Sequence, residues 1–168
     1  MTSRLLILLN RLKAAAYRDW LTDSQSAAFS EIQTLWDFPE RINLTGLPGA
    51  GKTFLAWTVA RLLGAAYFPS PRVYHTEAVP QQVRVVIDNT SDDAIAQRRL
   101  LAELQLNSSR SALIITTQPN RLGLPVVALA RPTSQDLDIV YRNLSLLDYY
   151  SLNPHYAENL WMVVAQVL

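Results

Sequence analysis

Eight consecutive residues, Gly46-Leu47-Pro48-Gly49-Ala50-Gly51-Lys52-Thr53, have types and spacing that could do chemistry on a phosphate. They fit G-x-x-x-x-G-K-[ST] at every fixed position. Glycine there lets successive backbone N–H groups turn inward as an anion nest, where Cβ atoms would block the phosphate. A helix starting at the end of the turn aims its positive end at the same place. Lys52 is then expected to reach the β- and γ-phosphates of a nucleotide, and the Thr53 hydroxyl to ligate Mg²⁺. Fifteen basic residues include only two lysines, Lys13 and Lys52, so a chain that writes its positive charge as arginine has kept lysine here. The predicted nucleotide contacts are Gly46, Pro48, Gly49, Ala50, Gly51, Lys52, Thr53 and the adjoining Phe54.

A second candidate lies downstream. Val85-Val86-Ile87-Asp88 has the form of a buried strand ending in an acid. An aspartate at the carboxyl end of a parallel strand faces the phosphate crevice and can hold Mg²⁺ through water. Thr53 and Asp88 are therefore the predicted metal ligands, and Lys52, Asp88 and Asn89 the residues placed at the reacting phosphate. The strand resembles one after which many P-loop ATPases place a glutamate to polarise the attacking water; Asn89 stands there, and an amide cannot accept that proton. The expectation is slow or partner-dependent hydrolysis. Asp92 and Asp93 read as caps of the next helix. Thr116, Thr117 or Gln118, at the end of Ser111–Thr117, would sense the γ-phosphate if that strand neighbours the first.

Those groups need elements to position them. Ile42 and Leu44 give an apolar strand before the glycine turn, and an amphipathic helix follows it up to Gly64. Helical spacing predicts helices over 3–21 and 24–37, the second turning Phe29, Ile32 and Trp36 inward. Short strands are expected at 65–68, 72–76, 83–88, 111–117 and 126–129, with helices from Asp92-Asp93 to Leu106, over 134–150 and over 155–167. The fold class is α/β: a mostly parallel sheet flanked by helices, with helical additions at both ends. The division is 1–40 as a helical lead-in, 41–132 as the core and 133–168 as a small helical lid. The four tryptophans read as core or interface packing.

The bulk properties bound the function. The chain has 168 residues, 49% of them hydrophobic and 17% charged, with net charge +1. That is one domain with a real core and without a strongly basic surface. No cysteine is present, and His75 and His155 are too far apart to suggest a zinc site. The apolar run after Arg4 is too short for a signal segment or a membrane span, so a cytoplasmic location without membrane contact is expected.

Taken in order, GLPGAGKT, VVIDN, LIITTQ, ALARPTSQDLDIVYRNL and SLNPHYAENL resemble the NTPase core of the AAA+ and STAND P-loop families over roughly residues 38–168. The resemblance implies a minimal ATPase core. In those families a TT-R after the fourth core strand supplies a sensor, which Thr116 and Thr117 match while Gln118 replaces the arginine. A G-x-P near the lid touches the nucleotide; Asn153-Pro154 matches the proline, with Leu152 at the glycine position, which makes Pro154 a nucleotide contact by resemblance. Arginine fingers in these families act on a neighbour's nucleotide, and Arg110, Arg121 and Arg131 lie near strand ends or the lid start, where such a group could sit. Leu21-Thr22-Asp23-Ser24-Gln25 is similar to the adenine-contacting L-x-x-x-Q segment of superfamily-1 helicases, which would make Gln25 a base contact.

The leading expectation is an ATP-binding switch subunit of a larger assembly, joined to a protein partner or to its own copies through its apolar terminal helices. A DNA-linked loader or transposition-type ATPase is the first alternative, with Arg98, Arg99 and Arg110 as the local basic residues. A small-molecule P-loop kinase is the second.

Overall fold

The computed structural model describes residues 3–38, 41–76, 84–107, 109, 111–119, 123–150 and 157–168. Five strands form one sheet in the order β2-β3-β4-β1-β5, and all its pairs are parallel. The strands are β1 (Arg41–Thr45), β2 (Ala66–Phe68), β3 (Val85–Ile87), β4 (Ala112–Ile115) and β5 (Val126–Ala128). The helices are α1 (Ser3–Ala14), α2 (Asp23–Trp36), α3 (Lys52–Leu62), α4 (Pro71–Thr76), α5 (Ala94–Leu106), α6 (Ser134–Ser145) and α7 (Leu160–Ala165). This is the α/β architecture that the alternating pattern predicts.

Side-chain alternation splits the core into two layers, as a sheet covered on both faces requires. Ile42, Leu44, Val86, Leu113 and Ile115 point to one face and pack with Phe29, Ile32 and Trp36 of α2 and Leu55, Ala56 and Val59 of α3. Val85, Ile87, Ala112 and Ile114 point to the other face and meet Phe68, Tyr74, Leu100 and Leu104. A third cluster joins the two ends of the chain: Leu8 of α1 with Leu144 of α6 and Val163 and Val164 of α7. Each large aliphatic side chain so buried stabilises the fold by about 1.5–3 kcal/mol relative to exposure.

Four elements depart from the periodicity, each for a local reason. Residues 72–76 form helix α4, not a strand. Pro71 occupies its first position, the Ser70 hydroxyl accepts from the Val73 N–H, and Tyr74 seats its ring on Phe68 with centroids 5.2 Å apart. The first helix stops at Ala14 because the Arg61 guanidinium donates to the carbonyls of Lys13 and Ala14 and lies over the Tyr17 ring; a short 3-10 turn, Arg18–Trp20, follows. Helix α6 ends at Ser145 with Asp148 at φ 64°, and the Tyr149 and Asp148 N–H groups return to the carbonyls of Leu144 and Ser145 in a Schellman closure. Helix α7 begins only at Leu160, capped by the Asn159 side chain accepting from the Met162 N–H at 3.0 Å.

Candidate nucleotide site

The glycine turn lies between β1 and α3, at the carboxyl edge of a parallel sheet where ligands of such folds bind. Gly49 and Gly51 take φ of +76° and +88°, which a side chain rarely adopts. Both are also pressed from outside. A Cβ on Gly49 would lie 2.4 Å from Asn159 Oδ1, and one on Gly51 2.3 Å from Gln25 Nε2. Gly46 needs its missing side chain for a different reason: β5 runs on to Leu129, whose carbonyl oxygen would stand 3.0 Å from a Cβ.

Lys52 folds its ammonium onto the carbonyls of Gly46 and Leu47, the latter at 2.9 Å. Burial pulls its pKa below the usual lysine value, and the charges of Asp88 and Asp92 oppose that shift. Asp88 is only 2% exposed. Its Oδ2 accepts from the Thr53 hydroxyl at 2.8 Å and the Tyr67 hydroxyl at 3.0 Å, and its Oδ1 from the Asn89 N–H at 2.8 Å. Burial, with the Asp88 carboxylate beside it, raises the Tyr67 pKa far above its ordinary value. The paired hydroxyl and carboxylate of Thr53 and Asp88 are hard oxygen donors, a set that fits Mg²⁺.

Strand β4 does neighbour β1, with Leu44 opposite Ile115. Two polar side chains of β1 then pin the end of β4. Asn43 Nδ2 donates to the Ile114 carbonyl and the Thr116 hydroxyl at 3.0 and 2.8 Å, and the Thr45 hydroxyl donates to the Thr117 carbonyl at 3.0 Å. Thr116 is thereby buried and occupied, and its hydroxyl donates to the Gln118 carbonyl. Asp93 caps α5 as expected, accepting from Ile95 and Ala96 N–H groups. Asp92 does not. Its Oδ1 accepts from the Thr117 and Gln118 N–H groups, both at 3.0 Å, and ties the loop after β3 to the end of β4. Asn89 adopts φ 48°, a conformation asparagine tolerates, and its Nδ2 donates to the Pro69 carbonyl at 3.0 Å.

A cavity of about 510 Å³ opens from this edge, a size suited to one small-molecule ligand. Pro48, Gly49, Gly51, Lys52, Thr53, Asp88, Asn89 and Thr117 line its polar end. The other end is apolar and comes from elements distant in sequence: Leu9 and Leu12 of α1, Trp20, Phe54 and Trp57 of α3, Val140 and Leu144 of α6, and Leu160, Trp161 and Val164 of α7. Sequence reading missed that whole wall except Phe54, since these residues share the spacing of ordinary core stripes. Only Trp36 of the four tryptophans sits in the core; Trp20, Trp57 and Trp161 face the cavity. Gly46 and Ala50 do not line it, and Ala50 is 2% exposed within the core. Pro154, Arg110 and Arg121 fall outside the described residues. Gln25 lines the cavity, but its amide serves the backbone: Oε1 accepts from Thr22 N–H and Nε2 donates to the Gly51 carbonyl, each at 3.0 Å.

The C-terminal helices reach the glycine turn by two routes. The Leu160 N–H at the start of α7 donates to the Gly49 carbonyl at 3.0 Å. From α6, the fully buried Asp136 accepts from the Ser24 N–H at 3.1 Å, the Ser24 hydroxyl at 2.7 Å, the Thr133 N–H at 2.8 Å and the Thr133 hydroxyl at 3.0 Å. Burial alone would raise its pKa, yet these donors hold it below the usual carboxylate value. Ser24 belongs to the same helix start as Gln25, so α6, α2 and the glycine turn form one connected unit.

The parallel sheet and its flanking helices are similar in fold to solved structures of RuvB and DnaA. RuvB of Thermotoga maritima in its R170A form superposes with TM-score 0.52 at 19% identity, over 83% of this chain and 57% of RuvB. The replication initiator DnaA bound to AMPPCP and single-stranded DNA superposes with TM-score 0.53 at 13% identity, over 84% and 58%. This chain thus spans less than two thirds of the length of either. No protein-family model and no curated protein sequence matches it. Among the described residues no helix is long and apolar enough to cross a membrane.

Proposed function

We propose that this chain is an ATP-binding switch subunit of the AAA+ type, with slow or partner-dependent hydrolysis. The observation that carries the proposal is the coincidence, in one cavity, of the glycine turn, the Thr53–Asp88 pair and an apolar lining drawn from α1, α3, α6 and α7. Triphosphate would lie along the turn with Lys52 released from its carbonyl partners. Thr53 and Asp88 would hold Mg²⁺, which supplies neutralisation of phosphate charge. Thr117 faces the cavity from the β4 end and is the sensor in this reading; Thr116 is committed to Asn43.

The weak hydrolysis rests on Asn89, whose amide is spent on Pro69 and cannot take a proton in any case. The output is the position of α6 and α7, which touch the turn through Asp136–Ser24 and Leu160–Gly49. We take 1–40, 41–132 and 133–168 as lead-in, core and lid. The exposed Leu6, Ile7, Trp161 and Met162 on α1 and α7 are the surface offered to a protein partner or a second copy.

A DNA-linked ATPase is the second reading, favoured by the nature of the two structural neighbours. Arg98 and Arg99 on α5 are exposed, although Arg99 pairs with Glu103 at 3.3 Å. The test is to incubate the protein with ATP and Mg²⁺, with and without duplex and single-stranded DNA, and follow bound and free nucleotide by chromatography, with Lys52→Ala as the blank. Retained intact ATP supports the switch. DNA-stimulated turnover with steep salt dependence moves the second reading ahead. Absence of binding overturns both.

A further inference from the structure

The cavity lining includes a polar side chain on α6 that neither the phosphate chemistry nor the core explains. Asn143 of α6 is 6% exposed and lines the cavity beside Trp20 and Leu144. Its Nδ2 donates to the Trp20 carbonyl at 2.9 Å. A backbone carbonyl only accepts, so the amide nitrogen must be the atom that faces Trp20, and this contact fixes the flip of the group. The Oδ1 atom then takes the other branch, and among the described residues nothing donates to it. An amide oxygen on the cavity lining that takes no donor from the described residues is open to accept one from a ligand.

We propose that Asn143 is the base-specificity residue of this site, its Oδ1 accepting from the exocyclic amine of adenine. The inference rests on the nucleotide-binding reading above and supplies what the phosphate turn cannot, since the turn contacts groups common to every nucleoside triphosphate. Trp20 and Leu144 flank the amide and give the purine ring an apolar bed. Guanine in the same position would set its own carbonyl oxygen against Oδ1, two acceptors facing each other. The Trp20 carbonyl locks the amide against rotating to present its nitrogen, because rotation would place two oxygens together there as well.

Calorimetric titration of the intact protein with ATP, GTP and purine riboside triphosphate, which lacks the amine, tests this. The expected result is a loss of about 5- to 10-fold from ATP to purine riboside triphosphate, the size of one net neutral hydrogen bond. GTP should bind at least as weakly. In Asn143→Leu the ATP and purine riboside values should converge. Asn143→Leu also removes the Trp20 contact, so its affinities are read as ratios between ligands, and the wild-type ratio stands even if that variant fails to fold. Equal wild-type affinity for ATP and purine riboside triphosphate overturns the assignment while leaving nucleotide binding intact. A ratio that survives in Asn143→Leu overturns it too. Failure of wild type to bind any of the three ligands removes the nucleotide reading itself, and the assignment with it.

Discussion

Asp136→Asn should loosen the lid by an amount that can be worked out from its hydrogen bonds. The carboxylate takes one backbone N–H on each oxygen, Ser24 on Oδ1 and Thr133 on Oδ2, together with both hydroxyls on Oδ2. An amide offers a single acceptor. Either flip sets its NH₂ against one of those two backbone donors, whereas the hydroxyls can rotate to accept. One buried N–H is therefore left without a partner, at about 1–3 kcal/mol, and charge assistance is lost from the rest. The sum is about 2–3 kcal/mol, or roughly 4–12 °C in melting temperature for a chain of this size. The pH dependence has a definite sign. The folded pKa is depressed, so the stabilisation is complete above the unfolded value of about 3.9 and disappears as pH falls through the still lower folded value. Urea titrations of wild type and Asp136→Asn at pH 7 and at steps below pH 4 should show a gap that closes in the acid range. A gap under about 0.5 kcal/mol at pH 7, or one that stays constant into acid, refutes the reasoning.

Other perturbations reach the site by different routes. Gly49→Ala meets both positive φ and the Asn159 cap, so it should destabilise by about 2–4 kcal/mol and weaken nucleotide binding, read by thermal melts with and without ATP. Asp92→Ala removes an exposed tie to Thr117 and Gln118; stability should fall by about 1 kcal/mol or less, while single-turnover hydrolysis changes more than ATP affinity does. Tyr67→Phe deletes one donor to the buried Asp88 carboxylate at a cost of about 1–2 kcal/mol by denaturant titration, and should shift the Mg²⁺ concentration needed for tight ATP binding. Tyr74→Phe leaves the Asn107 amide without its 2.8 Å acceptor and should cost about 1 kcal/mol without altering nucleotide affinity.

The readings that held are those whose cause is local. Eight contiguous residues make the glycine turn between β1 and α3, and the glycine positions follow from backbone geometry over a few bonds. The inward face of α2 and the alternation of β3 and β4 are written in periodicity, which burial then enforces. The α4 segment failed because Val73, Tyr74 and Thr76 favour strands, while the Ser70-Pro71 start and the seat for Tyr74 beside Phe68 outweigh that preference. Asp92 and Asp93 are chemically identical neighbours, and no property of the chain ranks one as the cap. The placement of β4 beside β3 decides it, by bringing the Thr117 and Gln118 N–H groups to Asp92.

The amino-acid sequence by itself determined the glycine turn between β1 and α3, because that conformation needs only consecutive backbone groups and glycine at the positive-φ positions. The tertiary structure alone decided what lies at the other end of the cavity. Leu9, Trp20, Asn143 and Trp161 come from α1, a 3-10 turn, α6 and α7, elements up to 152 positions apart in the chain. Their spacing alone does not mark them, and only the packing of the two chain ends on each other, Leu8 against Leu144, Val163 and Val164, brings them to a shared space.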